Sequence, residues 1–250
     1  MNKLKALFVT LGFPIYSLLN PRIGFTVFYP TTKGWRVYTR GRTIPVRGPA
    51  LWTLEYYRQY VPLKGAIVFD VGGELGYETE QFSELVGSKG RVYTFECMPS
   101  HVAHLKSIAE KRKNVTVIES ACWNTKTTLE FSVGKTPGSG TAVPEAKGQQ
   151  GQSLADAHQP PIVVSANTLD SLWQEYANKT QIDFLKMDIE GAEYEAIEGG
   201  KKALEYTKVA VIAAYHIRDG VRTADRVAAQ MANLGFKVRI DENHHVYCSR

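Results

Sequence analysis

From residue 66 onward, short apolar runs alternate with stretches of helical periodicity: strands over 67–70, 91–96 and 115–118, helices over 78–86 and 101–111. Such β/α alternation predicts a parallel sheet covered by helices on both faces. A further strand over 127–133 is followed at 134–161 by Gly, Pro, Ser, Gln and Ala with little apolar content. A loop of that length is either a functional lid or a disordered stretch, and we read it as a flexible substrate loop. The alternation resumes with strand 162–165, helix 169–177, strand 182–188, helix 192–206, strand 209–215 and helix 222–234. Two β-like pieces around Asp241, Glu242 and Asn243 predict a closing hairpin over 237–248. Ahead of this rhythm, β-rich stretches at 25–30 and 35–39 flank a Lys33-Gly34 turn, which predicts a hairpin, and 50–60 looks helical. The reading divides the chain into an apolar and basic extension, 1–64, and a main domain, 65–250.

With 250 residues, 44% of them apolar and 22% charged, the chain can bury a core over most of its length. That excludes a disordered, collagen-like or disulfide-dense molecule. Cys97, Cys122 and Cys248 are an odd count without CxxC or zinc spacing, which suits a reduced compartment. The net charge of +5 is unevenly spread: residues 1–65 carry ten Lys and Arg against Glu55 alone, a net +9, and the rest carries 20 against 24, a net −4. The apolar run at 6–19 is broken by Gly12 and Pro14, short of the ~18 residues of a membrane span. No small-x-small cleavage site follows its two preceding lysines. The expectation is a cytoplasmic protein whose residues 1–20 touch an anionic membrane surface, or whose basic front holds a phosphate-bearing substrate. A solvated basic face is the plainer alternative, with the apolar run as a helix packed on the domain or on a second copy.

The most informative run is Asp70-Val71-Gly72-Gly73-Glu74-Leu75-Gly76, where an apolar strand ends in an acid and a glycine-rich turn leads into a helix. Such a turn aims free backbone N–H groups and a helix dipole at an anionic or nucleotide-like ligand. A dinucleotide fingerprint needs a second glycine where Glu74 stands, so the pyrophosphate reading is weak. The alternative is Asp-x-Gly-x-x-x-Gly, in which Asp70 meets the cationic amino group of a methionine-like ligand, as in S-adenosylmethionine sites. Glu96 ends the next strand 20 residues after Gly76, a spacing at which a carboxylate accepts two ribose hydroxyls. It also suits a helix-start acid ahead of Pro99. Further along, Lys186, Asp188, Glu190 and Glu193 crowd the end of an apolar strand and the start of a helix, the edge where ligands bind in doubly wound sheets. They serve either chemistry or one another as ion pairs.

In order, these blocks and Thr168-Leu169-Asp170-Ser171-Leu172 resemble the signature of the FkbM family of S-adenosylmethionine-dependent methyltransferases over roughly residues 65–220. The resemblance implies an α/β, Rossmann-like class I methyltransferase fold, a seven-stranded and mostly parallel sheet with helices on both faces and an antiparallel last strand. It implies S-adenosyl-L-methionine bound by Asp70, Gly72, Gly73, Glu74, Gly76, Thr79, Glu96, Cys97, Ala121 and Asp188. It also implies O-methylation of a sugar, glycan or glycosylated small molecule, lipid-linked if the front lies on a membrane.

Two positions depart from the family pattern. The family's turn usually reads Gly-Ala-Asn where this chain has Gly72-Gly73-Glu74, and it commonly has Glu-x-His where this chain reads Ala214-Tyr215-His216. Catalysis is therefore expected from His216 as general base, Asp188 as alternative base or orienting partner, and Lys186 as a group that polarises the acceptor oxygen. Asp188, Glu190 and His216 offer donors for magnesium, but a divalent cation is not expected and no metal is assigned. An RNA methyltransferase and a non-catalytic cofactor-binding scaffold are the alternatives. Nucleic acid is not the expected partner, and a homo-oligomer is compatible with the sequence.

Overall fold

The computed structural model describes residues 5–8, 14–20, 24–32, 34–39, 42–46, 51–57, 59–135, 140–154 and 159–250. The chain forms two compact units, Met1–Leu63 and Lys64–Arg250.

The first unit is an antiparallel meander of β1 (Lys5–Phe8), β2 (Pro14–Asn20), β3 (Gly24–Thr31), β4 (Gly34–Thr39) and β5 (Arg42–Val46), each strand paired with the next. Phe28, Val37 and Ile44 stand opposite one another across three strands and are buried, while the alternate Tyr38 is exposed, the period-2 pattern of a half-buried sheet. The apolar run at 6–19, for which a helix was one reading, contributes strands, and Pro14 opens β2, where its missing N–H is tolerated. The helix expected over 50–60 is a 3-10 turn, Leu51–Tyr57, in keeping with its aromatic, weakly helix-forming composition. No helix among the described residues is long and apolar enough to cross a membrane.

The second unit begins with β6 (Ile67–Val71), α1 (Tyr77–Val86), β7 (Arg91–Glu96), α2 (Pro99–Lys111), β8 (Val115–Glu119), β9 (Ala121–Trp123) and β10 (Thr127–Val133). It continues through β11 (Gly140–Thr141), β12 (Ile162–Thr168), α3 (Leu169–Ala177), β13 (Phe184–Met187), α4 (Glu193–Glu198), α5 (Lys201–Glu205) and β14 (Val209–Ala213). It closes with β15 (Ile217–Arg218), β16 (Val221–Arg222), α6 (Ala224–Asn233), β17 (Lys237–Ile240) and β18 (His245–Ser249). Seven strands form one sheet in the order β17-β18-β14-β13-β6-β7-β8, in which only β18 runs antiparallel to its neighbours. This is the Rossmann-like class I methyltransferase sheet. Phe69, Val71, Leu185, Met187, Ala210, Ile212 and Val246 fill its core. The chain winds outward through β7 and β8 and then returns to the other side of β6. The β6–β13 crevice is therefore the switch point where doubly wound sheets bind ligands.

Two details differ from the sequence reading. The helix expected over 192–206 is two helices, because a Cβ on Gly199 would lie 2.1 Å from the Trp123 carbonyl oxygen, so glycine lets the chain pass close there. The described part of 134–161 is anchored rather than loose. Gly140–Thr141 pairs with β10, Lys147 exchanges backbone hydrogen bonds with Ile217, and Val143, Ala146 and Leu154 are buried with Ala192. Its sparse apolar residues are enough to pin it because they fall on one cluster.

Candidate active site

The glycine turn is held by its neighbours on both sides. The N–H groups of Gly72 and Gly73 both donate to the Phe95 carbonyl at 3.0 Å. Gly72 has φ +84°, and a Cβ there would lie 1.8 Å from the Asp188 carbonyl oxygen, so only glycine lets the ends of β6 and β13 touch. Asp70 lies behind this turn, fully buried. Its Oδ2 accepts from the Thr79 hydroxyl at 2.5 Å, and its Oδ1 is 3.3 Å from the Lys186 ammonium. Lys186 also donates to the Gly72 carbonyl. Burial opposes the charge of Lys186, yet Asp70, Asp188 and Glu78 together raise its pKa above the ordinary lysine value. Lys186 and Asp70 thus brace the turn from inside, which accounts for an acid and a base at a buried strand end.

Glu96 serves two ends at once. Its Oε1 accepts from the N–H groups of Cys97 and Met98 at 2.8 Å, in the turn ahead of α2, and its Oε2 accepts the Glu74 N–H at 2.9 Å. An ionised carboxylate has about four acceptor sites, so acceptor capacity remains for a ligand hydroxyl. The Ser120 N–H donates to the Glu96 carbonyl at 3.0 Å, and the next residue, Ala121, opens β9 opposite Ala166. Glu74 has φ +47° and Glu190 has φ +56°, conformations that residues other than glycine rarely adopt. Burial raises the pKa of Glu74, with Lys186 opposing and Asp188, Glu190 and Glu96 adding to the rise. The half-buried Glu78 is pushed up to about 6, chiefly by burial.

On the other side of the crevice, the Tyr215 hydroxyl donates to Asp188 Oδ2 at 3.0 Å. His216 is fully buried, its Nδ1 3.1 Å from Glu193 Oε1 and its Nε2 3.3 Å from Glu190 Oε2 and 3.8 Å from Asp188 Oδ1. Neither nitrogen aligns for a straight hydrogen bond, so the attraction is chiefly electrostatic. Burial opposes an imidazolium here, but Glu193, Glu190 and Asp188 outweigh it and hold the His216 pKa well above the ordinary histidine value. His216 is fully enclosed by these acids, whereas the carboxylate of Asp188 is partly exposed to the crevice. Donor atoms of Asp188, Glu193 and His216 lie within 4.8 Å of one another, a set suited to a cation.

The acidic segment is also tied to the insertion and to α4. The Thr141 hydroxyl donates to the Glu190 carbonyl at 2.7 Å, the Gly191 N–H to Glu193 at 3.2 Å, and Arg218 to the Gly191 carbonyl at 3.0 Å and to both oxygens of Glu195.

The fold thus brings Asp70, Gly72, Gly73, Glu74, Gly76, Thr79, Glu96, Lys186 and Asp188 to one sheet edge. Sequence reasoning missed the Tyr215 hydroxyl on Asp188 and Glu193 against His216. The signal for Glu193 was its place in the acidic run, whereas nothing in the sequence marked Tyr215.

Residues 70–238 match the Methyltransferase FkbM domain. The chain belongs to the FkbM family of S-adenosylmethionine-dependent methyltransferases. A solved FkbM methyltransferase from Methylobacillus flagellatus superposes with a TM-score of 0.52 at 15% identity, over 78% of this chain and 47% of that one. The chain thus spans about half the length of that relative. Fibrillarin from Aeropyrum pernix, solved with natively bound S-adenosyl-L-methionine, matches over 98% of this chain and 99% of its own at 10% identity, with a TM-score of 0.51. Both likenesses are of fold. No curated protein matches the chain in sequence. The FkbM match includes the glycine turn, Glu96 and the whole acidic segment, and it stops within β17.

Proposed function

We propose that this FkbM protein methylates a hydroxyl of a sugar, glycan or glycosylated small molecule, with S-adenosylmethionine held over the glycine turn. The observation that carries the reading is the close approach of Gly72 to the Asp188 carbonyl, which joins the turn and the acidic segment into one continuous edge. The residues fit the donor: the turn leaves no room for a Cβ at Gly72 or Gly73, Glu96 keeps acceptor capacity for one ribose hydroxyl, and carboxylates line the crevice. When bound, S-adenosylmethionine supplies a methyl group on a sulfonium.

The chain's task is then alignment, exclusion of water and removal of one proton. With an acceptor hydroxyl in the crevice, Asp188 would take its proton as the oxygen is methylated. Its carboxylate is partly exposed and is oriented by the Tyr215 hydroxyl. His216 keeps the carboxylates of the segment together by its charge, and Lys186 holds the turn rather than the acceptor. Ala214, where the resemblance leads to an expected glutamate, is packed into the core, and the neighbouring Tyr215 orients Asp188.

The test is calorimetric titration of S-adenosylmethionine, followed by methyl transfer to a panel of glycans and glycosides. Asp188→Asn should keep donor binding and lose turnover by about 100-fold or more. Methyl transfer to RNA in preference to every glycan would replace the acceptor reading, and donor binding without any turnover would favour the scaffold.

A further inference from the structure

Glu74 carries an unexplained cost. Its φ of +47° lies in the left-handed region, which asparagine and glycine tolerate far better than a long side chain. Nothing in the local backbone asks for glutamate: its N–H bond to Glu96 is available to any residue other than proline. What glutamate adds is a carboxylate, at a point that carboxylates approach from two other strand ends, Glu96 at the end of β7, whose Oε2 accepts the Glu74 N–H, and Asp188 and Glu190 after β13. Glu78 on α1 adds a further acid that interacts with Glu74. Lys186, the cation nearest this group, is engaged by Asp70 and the Gly72 carbonyl, and His216 by Glu193 and Glu190. The mouth of the turn is therefore rich in acids, and Lys186, which opposes the repulsion at Glu74, is shared with Asp70 and the Gly72 carbonyl, so Glu74 still adds a carboxylate to a crowded group.

We infer that Glu74 is a specificity residue that makes this site prefer the charged methyl donor over the spent one. The inference rests on the donor reading above. S-adenosylmethionine carries a sulfonium that S-adenosylhomocysteine lacks, and the two are otherwise nearly the same shape. A shape-based pocket separates them poorly. A carboxylate held in a partly desolvated site separates them by charge, because each ion interaction there is stronger than in water. The consequence is easier exchange of spent for fresh donor after each turnover, with weaker product inhibition.

The experiment is calorimetry of both ligands with the full-length protein, Glu74→Gln and Glu74→Asn. Asparagine suits the left-handed backbone, so that variant should fold as well as the parent, checked by its thermal midpoint. The expected result is a preference for S-adenosylmethionine in the parent that falls by about three- to tenfold in both variants, with most of the change in the affinity for S-adenosylmethionine. It should weaken further as salt rises. A ratio unchanged within twofold, or an equal loss for both ligands, would overturn the inference and leave the donor reading standing. If neither ligand binds the folded parent, the donor reading falls and this inference with it.

Discussion

Single atoms decide much of this site. At Gly72, alanine would place a Cβ 1.8 Å from a carbonyl oxygen in a backbone conformation with positive φ, and neither strand end can retreat without breaking the sheet. Gly72→Ala should cost at least about 3 kcal/mol, read as a drop in the urea midpoint. Lys186→Met leaves the fully buried Asp70 carboxylate without its cation and should cost about 3–5 kcal/mol. Adding Asp70→Asn should recover part of that loss, whereas a purely steric effect would not be recovered. His216 supports a pH prediction. Its folded pKa is raised, so the stability it contributes is complete below the unfolded value and is lost as pH rises through the folded one. The stability gap between the parent and His216→Gln should therefore be widest near pH 6 and narrow toward alkaline pH, by about 1.4 kcal/mol for each pH unit that separates the folded from the unfolded value.

At the scale of elements, α1 begins at the glycine turn with two acids in its first turn, Glu78 and Glu80. The dipole favours both, but only Glu78 is drawn into the site, where its pKa reaches about 6. A raised carboxyl pKa means that the folded state prefers the proton, so this contribution is present below about pH 4.5 and is lost as pH rises through 6. Glu78→Gln should stabilise the protein by about 1–2 kcal/mol at pH 7–8 and by nothing below pH 4, in urea titrations across that range. The order and type of the sheet elements were legible because buried parallel strands and amphipathic helices leave periodic traces. The separate four-stranded sheet, in the order β11-β10-β12-β9, was not. β9 and β12 pair in parallel with β10 antiparallel to β12, and their half-exposed residues look like any strand until a partner is known. Likewise, the residues of the turn were readable from their spacing, because glycine positions reflect backbone demands. Hydrogen bonds between Tyr215 and Asp188, or ion contacts between His216 and Glu193, join residues whose proximity only the fold creates.

For the whole molecule, charge is the property that no element carries by itself. The first 65 residues hold a net +9 and the rest a net −4, although the side chains of residues 1–20 lie outside those described. Contact with an anionic surface should follow the front of the chain. The protein should sediment with anionic vesicles at low salt and be released by about 0.3 M, and deleting residues 1–20 should weaken the association. Vesicle binding that ignores both salt and deletion would point to another determinant. The stretch between β10 and β12 has a consequence of a different kind. It reaches the acidic segment through Thr141 on Glu190 and β15 through Lys147 on Ile217, and it contributes nothing to the glycine turn among the bonds described. Replacing residues 140–154 should therefore leave S-adenosylmethionine binding within about twofold while changing which acceptor is methylated, read by calorimetry and an acceptor panel.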